Sequence, residues 1–306
     1  MIEVRSITKS YGEKKAVNNL SFTIEEGEIV GLLGLNGAGK STILKTLGTL
    51  LPATEGEAFI AGFSVLNQAE EVRKHIGYLP DTPPLYDEMT IRHYLEFVAR
   101  LKGVSKADLK THVEEALRNT NLTDVQEQKL SELSHGYRQR TNIAQALVHR
   151  PKVLILDEPI NGLDPVQIVE MRDLILSLRK KHTVILSSHI LSEITRTCDR
   201  ILVIDKGRLV AEGTEQQLRG KAEDKFDIHI EIASGADEIV HNLRAIDGVL
   251  SAELNAKGHI ALSASKEIRP VLARYIIQSG YELLTIERRE AELETLFLKL
   301  VQGDKA

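Results

Sequence analysis

A chain of 306 residues, 42% hydrophobic and 27% charged, has a globular composition and the length of about two domains. Its net charge of −5 argues against the basic footprint of a nucleic-acid binder, so no nucleic-acid partner is expected. With no apolar run of the ~18 to 20 residues that cross a bilayer, no signal-peptide core and a lone Cys198, the expectation is a cytoplasmic protein without intrachain disulfides.

In chain order, Ile2-Glu3-Val4 and Leu20–Ile24 alternate apolar with polar and predict half-exposed strands. Glu57–Ile60 predicts a third, and together they form a small antiparallel layer. Ile29–Leu33 predicts a buried strand. The next residues, Gly34-Leu35-Asn36-Gly37-Ala38-Gly39-Lys40-Ser41, fit the phosphate-loop pattern G-x-x-x-x-G-K-[ST]. Behind them Ile43, Leu44 and Leu47 repeat at helical spacing. Strand, glycine-rich loop and helix start together make an anion site. The glycines let backbone N–H groups turn in around phosphate oxygens, and the positive end of the helix dipole faces them. The pattern gives residues 34–41 to a phosphate chain, with Thr42, the next helix residue, counted with them, Lys40 on the β- and γ-phosphates and the Ser41 hydroxyl on Mg²⁺.

From Tyr94 to His149 the periodicity is helical: Tyr94, Phe97, Val98 and Leu101, then Val113, Leu117 and Leu122. Within it Ser134 is a good N-cap, followed by one face made of Tyr137, Thr141, Ala144 and Leu147-Val148, so this helix start is a second anion site. Arg150-Pro151 ends the run. Three apolar strands follow, Lys152–Leu156, Thr183–Ser187 and Arg200–Ile204, in the rhythm of a parallel doubly wound sheet. Asp205–Arg208 reads as a turn between two strands.

The first of those strands ends in Asp157-Glu158-Pro159. Successive strand side chains face opposite ways, so the two carboxylates take different roles. Asp157, nearer the strand body, is the better Mg²⁺ partner and Glu158 the better general base.

Beyond Gly220 the pattern predicts strand 226–232, helix 236–244, strands 248–254 and 259–264, helix 268–278, strand 281–287 and a last helix 290–301. Asn255–Gly258 supplies a hairpin turn. The β-α-β-β-α-β order is that of a ferredoxin-like domain. It carries no catalytic or ligand motif, and a structural or dimer-supporting module is expected.

Taken in order, these motifs resemble the ATP-binding subunit of an ATP-binding cassette (ABC) transporter. Gly34–Ser41 resembles Walker A, Leu133-Ser134-His135-Gly136-Tyr137-Arg138-Gln139-Arg140 the family signature (usually LSGGQ), and Leu154–Pro159 Walker B. Asn161–Asp164 is similar to the D-loop, His189 to the switch histidine, and Tyr11 to the aromatic that stacks on adenine. The resemblance covers about residues 1–220. It extends to the type-2 exporter group of gliding-motility, sodium- and drug-efflux ATPases through Ile76–Asp81, the altered signature and the tail Glu290–Leu300.

The resemblance implies an α/β P-loop NTPase of the ABC ATPase type at residues 1–222, with a parallel sheet core, an antiparallel β layer and a helical subdomain at about 85–150. An α+β ferredoxin-like domain then occupies 223–306. It implies Mg²⁺-dependent ATP hydrolysis in a head-to-tail dimer, homo- or heteromeric, each ATP lying between one subunit's Walker A and the other's Ser134 and Gly136. Catalysis then rests on Glu158, His189 and Lys40. The partner is a separately encoded permease, docked near Asp81–Leu101, which would hold the chain on the inner face of the cell membrane.

Three departures bear on the site. Asp81 stands in place of the Q-loop glutamine, keeping a hard oxygen for the metal but losing an amide donor. His135 replaces the first signature glycine and Tyr137 the glutamine. Backbone N–H donors persist there, while the His135 ring has two readings open: tolerated, or crowding the phosphate. Leu35 stands where proline is usual. Two rivals follow from the same motifs, a degenerate regulatory subunit that binds without hydrolysing and a cytosolic ATP-driven switch. Intact Lys40, Asp157, Glu158 and His189 argue against the first. The single cassette, with one cysteine and no sustained heptads, argues against the second.

Overall fold

In the computed structural model, which describes residues 1–222, 226–255 and 258–288, the alternation read near the N-terminus becomes an antiparallel sheet. Its strands β1 (Ile2–Tyr11) and β2 (Lys14–Ile24) form a hairpin. Next come β3 (Ile29–Leu33), α1 (Lys40–Leu47), β4 (Glu55–Ile60), β5 (Phe63–Ser64), α2 (Ala69–His75) and β6 (Ile76–Leu79). Three helices follow, α3 (Ile91–Leu101), α4 (Leu109–Asn119) and α5 (His135–Leu147). The chain then alternates β7 (Val153–Leu156), α6 (Pro165–Ser177), β8 (Thr183–Ser188), α7 (Leu191–Thr197) and β9 (Arg200–Asp205), and turns back as β10 (Arg208–Gly213).

The antiparallel layer has the order β2-β1-β4-β5, and a second sheet has the order β10-β9-β3-β8-β7-β6. In the second sheet every pairing from β9 to β6 is parallel, and only β10 runs antiparallel at the edge. Strands β3, β7 and β8 are buried at every residue. That is why they read as unbroken apolar runs rather than alternating ones. One apolar core joins the two sheets through α1, with Ile43, Leu44 and Leu47 against Val4, Ile24, Leu32 and Ile155.

A separate core holds α3, α4 and α5 together, built on Ile91, Leu95, Val113, Leu117 and Ala144. Two sequence expectations are corrected here. Leu101, expected on the packed face of α3, is 71% exposed, and Ile91, Tyr94, Leu95 and Ala99 form that face instead. Tyr137, expected on the inner face of α5, is also exposed, while Thr141 and Ala144 are buried as expected.

The chain divides into two compact units, Met1–Glu215 and Gln216–Ala306, with α8 (Glu215–Ala222) beginning at the division. The second unit runs β11 (Phe226–Ile232), α9 (Ala236–Leu243), β12 (Val249–Leu254), β13 (Ile260–Ala264), α10 (Arg269–Gln278) and β14 (Leu283–Arg288). Its sheet order, β12-β13-β11-β14, and all-antiparallel pairing are those of the ferredoxin-like split arrangement. Ile228, Ile230, Leu262, Leu272 and Ile276 make its core. The predicted helix 290–301 and residues 256–257 of the predicted turn lie outside the described residues.

Candidate nucleotide-binding site

Four neighbouring parallel strands, β3, β8, β7 and β6, end on the same edge of the sheet. Register pairs Leu156 with both Leu79 and Leu186, so the residues just past these strands are brought side by side. From β3 comes the loop 34–41, from β8 Ser188-His189, from β7 Asp157-Glu158 and from β6 Asp81. Ligands of open α/β sheets bind at this carboxyl edge. A cavity of about 610 Å³ lies there, walled by Leu35–Thr42 on one side and by Asp81, Glu158, Asn161 and His189 on the other. Its size is that of a small-molecule site.

The loop is held tightly from behind. Ala38 N–H donates to Leu35 O at 3.0 Å, and Gly207 N–H, from the β9–β10 hairpin, donates to Ala38 O at 2.8 Å. Gly39, just before α1, has φ 109°, and a Cβ there would come within 2.5 Å of Ala16 O. Only glycine fits such a backbone and such an approach. Lys40 opens α1, is 6% exposed, and curls back to donate to Gly34 O at 2.7 Å. Its charge therefore lies within the loop, beside the α1 N-terminus, where an anion is favoured twice over.

The two carboxylates diverge. Asp157 is 1% exposed, and its Oδ1 accepts from Ser187 Oγ at 2.7 Å and from Ser41 Oγ at 3.2 Å. Its Oδ2 is buried with no hydrogen-bond partner. Burial pushes the Asp157 carboxyl up; the hydroxyl hydrogen bonds oppose this, and the Asp81 and Glu158 charges add to it. Tyr78 behind it is pushed up to about 12, first by burial and then by Asp157 and Asp81.

Glu158 has φ 48° and turns the other way. Its Oε1 lies 3.6 Å from Lys40 Nζ, and its Oε2 accepts from His189 Nδ1 at 3.0 Å. A carboxylate only accepts, so His189 carries a proton on Nδ1 and has Nε2 left over. Ser187 joins the two residues, accepting from the Glu158 backbone N–H at 2.9 Å while donating to the Asp157 carboxylate.

A buried carboxylate oxygen without a partner, beside a serine hydroxyl and a second Asp, suits a hard cation. Ser41, Asp157 and Asp81 are the oxygen donors that fit Mg²⁺. Among the described residues no group of three or more His, Cys, Asp or Glu could hold a metal. Mg²⁺ keeps waters and phosphate oxygens among its ligands, so these three residues would supply only part of its shell.

Of the predicted residues, Gly34 and Asp157 are not in the lining but are hydrogen-bonded to Lys40 and Ser41, which are, and two further sets lie apart from this cavity. Ser134 caps α5, accepting from Tyr137 N–H at 3.5 Å, and with Gly136 it lines a second cavity of about 570 Å³. Tyr137, Arg140 and Gln167 share that lining, and no residue lines both cavities. Tyr11 stands at the end of β1, half exposed, with Lys9 Nζ 5.5 Å from its ring centre, and it is not part of the cavity wall. Lys14 and Lys15 of the same hairpin do line the cavity, as does Lys206, and sequence reasoning missed all three. It missed Ser187 as well, although a serine pair closing an apolar strand was the available signal.

The ABC transporter family profile matches residues 17–161. The chain is 33% identical over 305 residues to the bacitracin transport ATP-binding protein of Bacillus licheniformis, covering 99% of this chain and 98% of the relative. It is 34% identical to Nod factor export ATP-binding protein I of Rhizobium meliloti, covering 98% and 87%. Among solved structures it resembles a dimeric ATP-binding cassette in a post-hydrolysis state bound to ADP and Pi. There the TM-score is 0.64 at 27% identity, over 70% of this chain and 98% of that one. Fold, site and relatives agree: the chain belongs to the ABC transporter family, as an ATP-binding subunit that hydrolyses ATP to power transport.

Proposed function

We propose that this chain drives an exporter, acting as a pair of ATPase subunits beneath a separately encoded membrane permease. Export is supported by relatives whose names carry Nod factor export and linearmycin resistance. The pairing rests on one observation: the Lys40 cavity and the Ser134 cavity lie on one chain and share no lining residue. In this reading a nucleotide held by the first is completed by the second cavity of another subunit, a second copy or a related chain, as the dimeric cassettes among the similar structures support.

In this reading the backbone N–H groups of residues 34–42 and Lys40 hold the phosphates, and Tyr11 takes the adenine. Ser134 and Gly136 of the second subunit close over the γ-phosphate with the α5 N-terminus. Mg²⁺, held by Ser41, Asp157 and Asp81, would neutralise phosphoryl charge. Glu158 accepts the proton of the attacking water, with His189 Nδ1 fixing its carboxylate, and the protein's donors stabilise the charge that develops. The C-terminal domain, assigned to residues 223–306, supports the pair. The permease docks on the stretch from Asp81 to Leu101, which includes the half-exposed Tyr86, and holds the chain at the inner membrane face.

Cross-linking tests the pairing. Cys198 is half-buried, and a Cys198→Ala background leaves the introduced cysteines to report alone. Asn36→Cys combined with Ser134→Cys, in a Glu158→Gln background, should give a covalent dimer on oxidation with ATP and Mg²⁺ and none without nucleotide. A link that ignores ATP, or no link at all, contradicts the reading.

A further inference from the structure

The first residue of α5, His135, stands where the family signature carries glycine, between Ser134 and Gly136 of the second cavity, and its ring meets Asn161, which lines the first. His135 Nε2 lies 3.3 Å from Asn161 O. A carbonyl only accepts, so the ring donates Nε2–H. One helical turn on, Gln139 Nε2 donates to Pro159 O at 2.9 Å from a buried position. Residues i and i+4 share a helix face, and here they grip two carbonyls of one loop.

That loop begins at Glu158. It is folded on itself by Asn161 N–H donating to Glu158 O at 3.2 Å, and Glu158 and Asn161 both line the ATP cavity. The contact is shaped closely at its far side. A Cβ on Gly162 would stand 3.2 Å from His135 Nε2, at a backbone φ of 74°. The same α5 whose first turn faces the second cavity is therefore fastened, by two side chains, to the loop that aims Glu158 into the first.

We propose that His135, with Gln139, is a positioning residue that couples the two ATP sites of the subunit pair: phosphate engaged at the start of α5 is felt within the same chain at Glu158. The proposal rests on the paired-subunit reading. It makes His135 a departure with a use, since glycine cannot reach Asn161 O.

Three variants test it: His135→Ala, His135→Gln, whose amide reaches the same carbonyl, and Glu158→Gln as the dimer control. ATPase rate is followed against ATP concentration, monomer affinity with a fluorescent ATP analogue, and dimer formation by light scattering. Wild-type turnover should be cooperative in ATP. His135→Ala should lose about 2- to 12-fold in kcat, the range for one neutral hydrogen bond, and bring the Hill coefficient to about one. Monomer affinity should stay unchanged, and His135→Gln should restore rate and cooperativity. Wild-type cooperativity in His135→Ala overturns the proposal, and so does a loss that His135→Gln fails to rescue. If Glu158→Gln does not dimerise with ATP, the paired reading itself falls, and the coupling with it.

Discussion

Lys40 Nζ lies 3.6 Å from Glu158 Oε1, and both side chains are largely shielded from solvent, at 6% and 12% exposure. The phosphate loop and the end of β7 are thus joined by a cation and an anion that a triphosphate and its attacking water must share. On the proposed mechanism, removing the negative partner costs the reaction its base and leaves the cation free for phosphate. Glu158→Gln should bind ATP at least as tightly as wild type while losing about 10²- to 10⁴-fold in kcat. Phosphate release and equilibrium nucleotide binding measured on the same preparation check this, and turnover near wild type would remove Glu158 from the mechanism.

The opposite change acts on binding. Lys40→Met removes the charge curled inside the loop and leaves Glu158 facing no cation from that side. Charge-assisted hydrogen bonds contribute about 1.5 to 3 kcal/mol, so ATP affinity should fall roughly 10- to 150-fold. Calorimetric titration reads it, and an unchanged Kd would move the phosphates elsewhere.

Asp157 carries a cost that a cation would relieve. Its folded pKa is raised by burial, so the folded chain binds this proton more readily than the unfolded chain does. Stability from this group is full below the ordinary carboxylate pKa and is lost as pH rises through the raised value. Asp157→Asn should therefore melt higher than wild type at pH 8 without Mg²⁺, with the gap closing as the pH falls below the ordinary value of 3.8. The same variant should lose the extra stabilisation that Mg²⁺ adds to ATP. A lower melting point at pH 8 would show that the buried carboxylate is not strained.

His149 supplies a pH dependence of the other sign, away from the chemistry. It follows α5, and its Nε2–H donates to Ile76 O at 2.9 Å. Burial, helped by the nearby Lys102, lowers its pKa from 6.5 to about 4. The neutral ring thus favours folding above pH 6.5, and that contribution is lost as pH falls toward 4. Over this window wild type should lose roughly 3 kcal/mol more than His149→Gln, which keeps a donor but does not titrate. Parallel urea-denaturation curves for the two proteins would contradict the assignment.

Much of this was legible in the chain because the information is local. The phosphate loop, the apolar strands β3, β7 and β8 and the alternation of β11 each announce themselves within ten residues or so. The strand β6 did not, because it is short and holds Gly77, whose Cβ would strike Ala146 O at 2.1 Å. Glycine there lets α5 sit close, yet in a sequence it reads as a break. Leu101 fits the α3 period but is the last residue of that helix and stays exposed, outside the core that α3 shares with α4 and α5.

The site divides in the same way. Lys40, Asp157 and Glu158 sit in recognisable strings, whereas Ser187 ties the Asp157 carboxylate to the Glu158 backbone only through the parallel register of β7 and β8. Such pairing joins residues 30 positions apart and leaves no local trace. Lys14, Lys15 and Lys206 likewise enter the cavity through hairpins packed beside the loop.

The central claim, that one subunit's Lys40 cavity works with another's Ser134 cavity, is tested most directly by mixing two inactive variants. Lys40→Met destroys the first half-site, and Gly136→Asp places a carboxylate in the second. Each alone should be inactive, and an equal mixture should regain Mg²⁺-dependent ATPase, because mixed pairs hold one undamaged Lys40 cavity facing one undamaged Ser134 cavity. A mixture as inactive as its components would contradict the account.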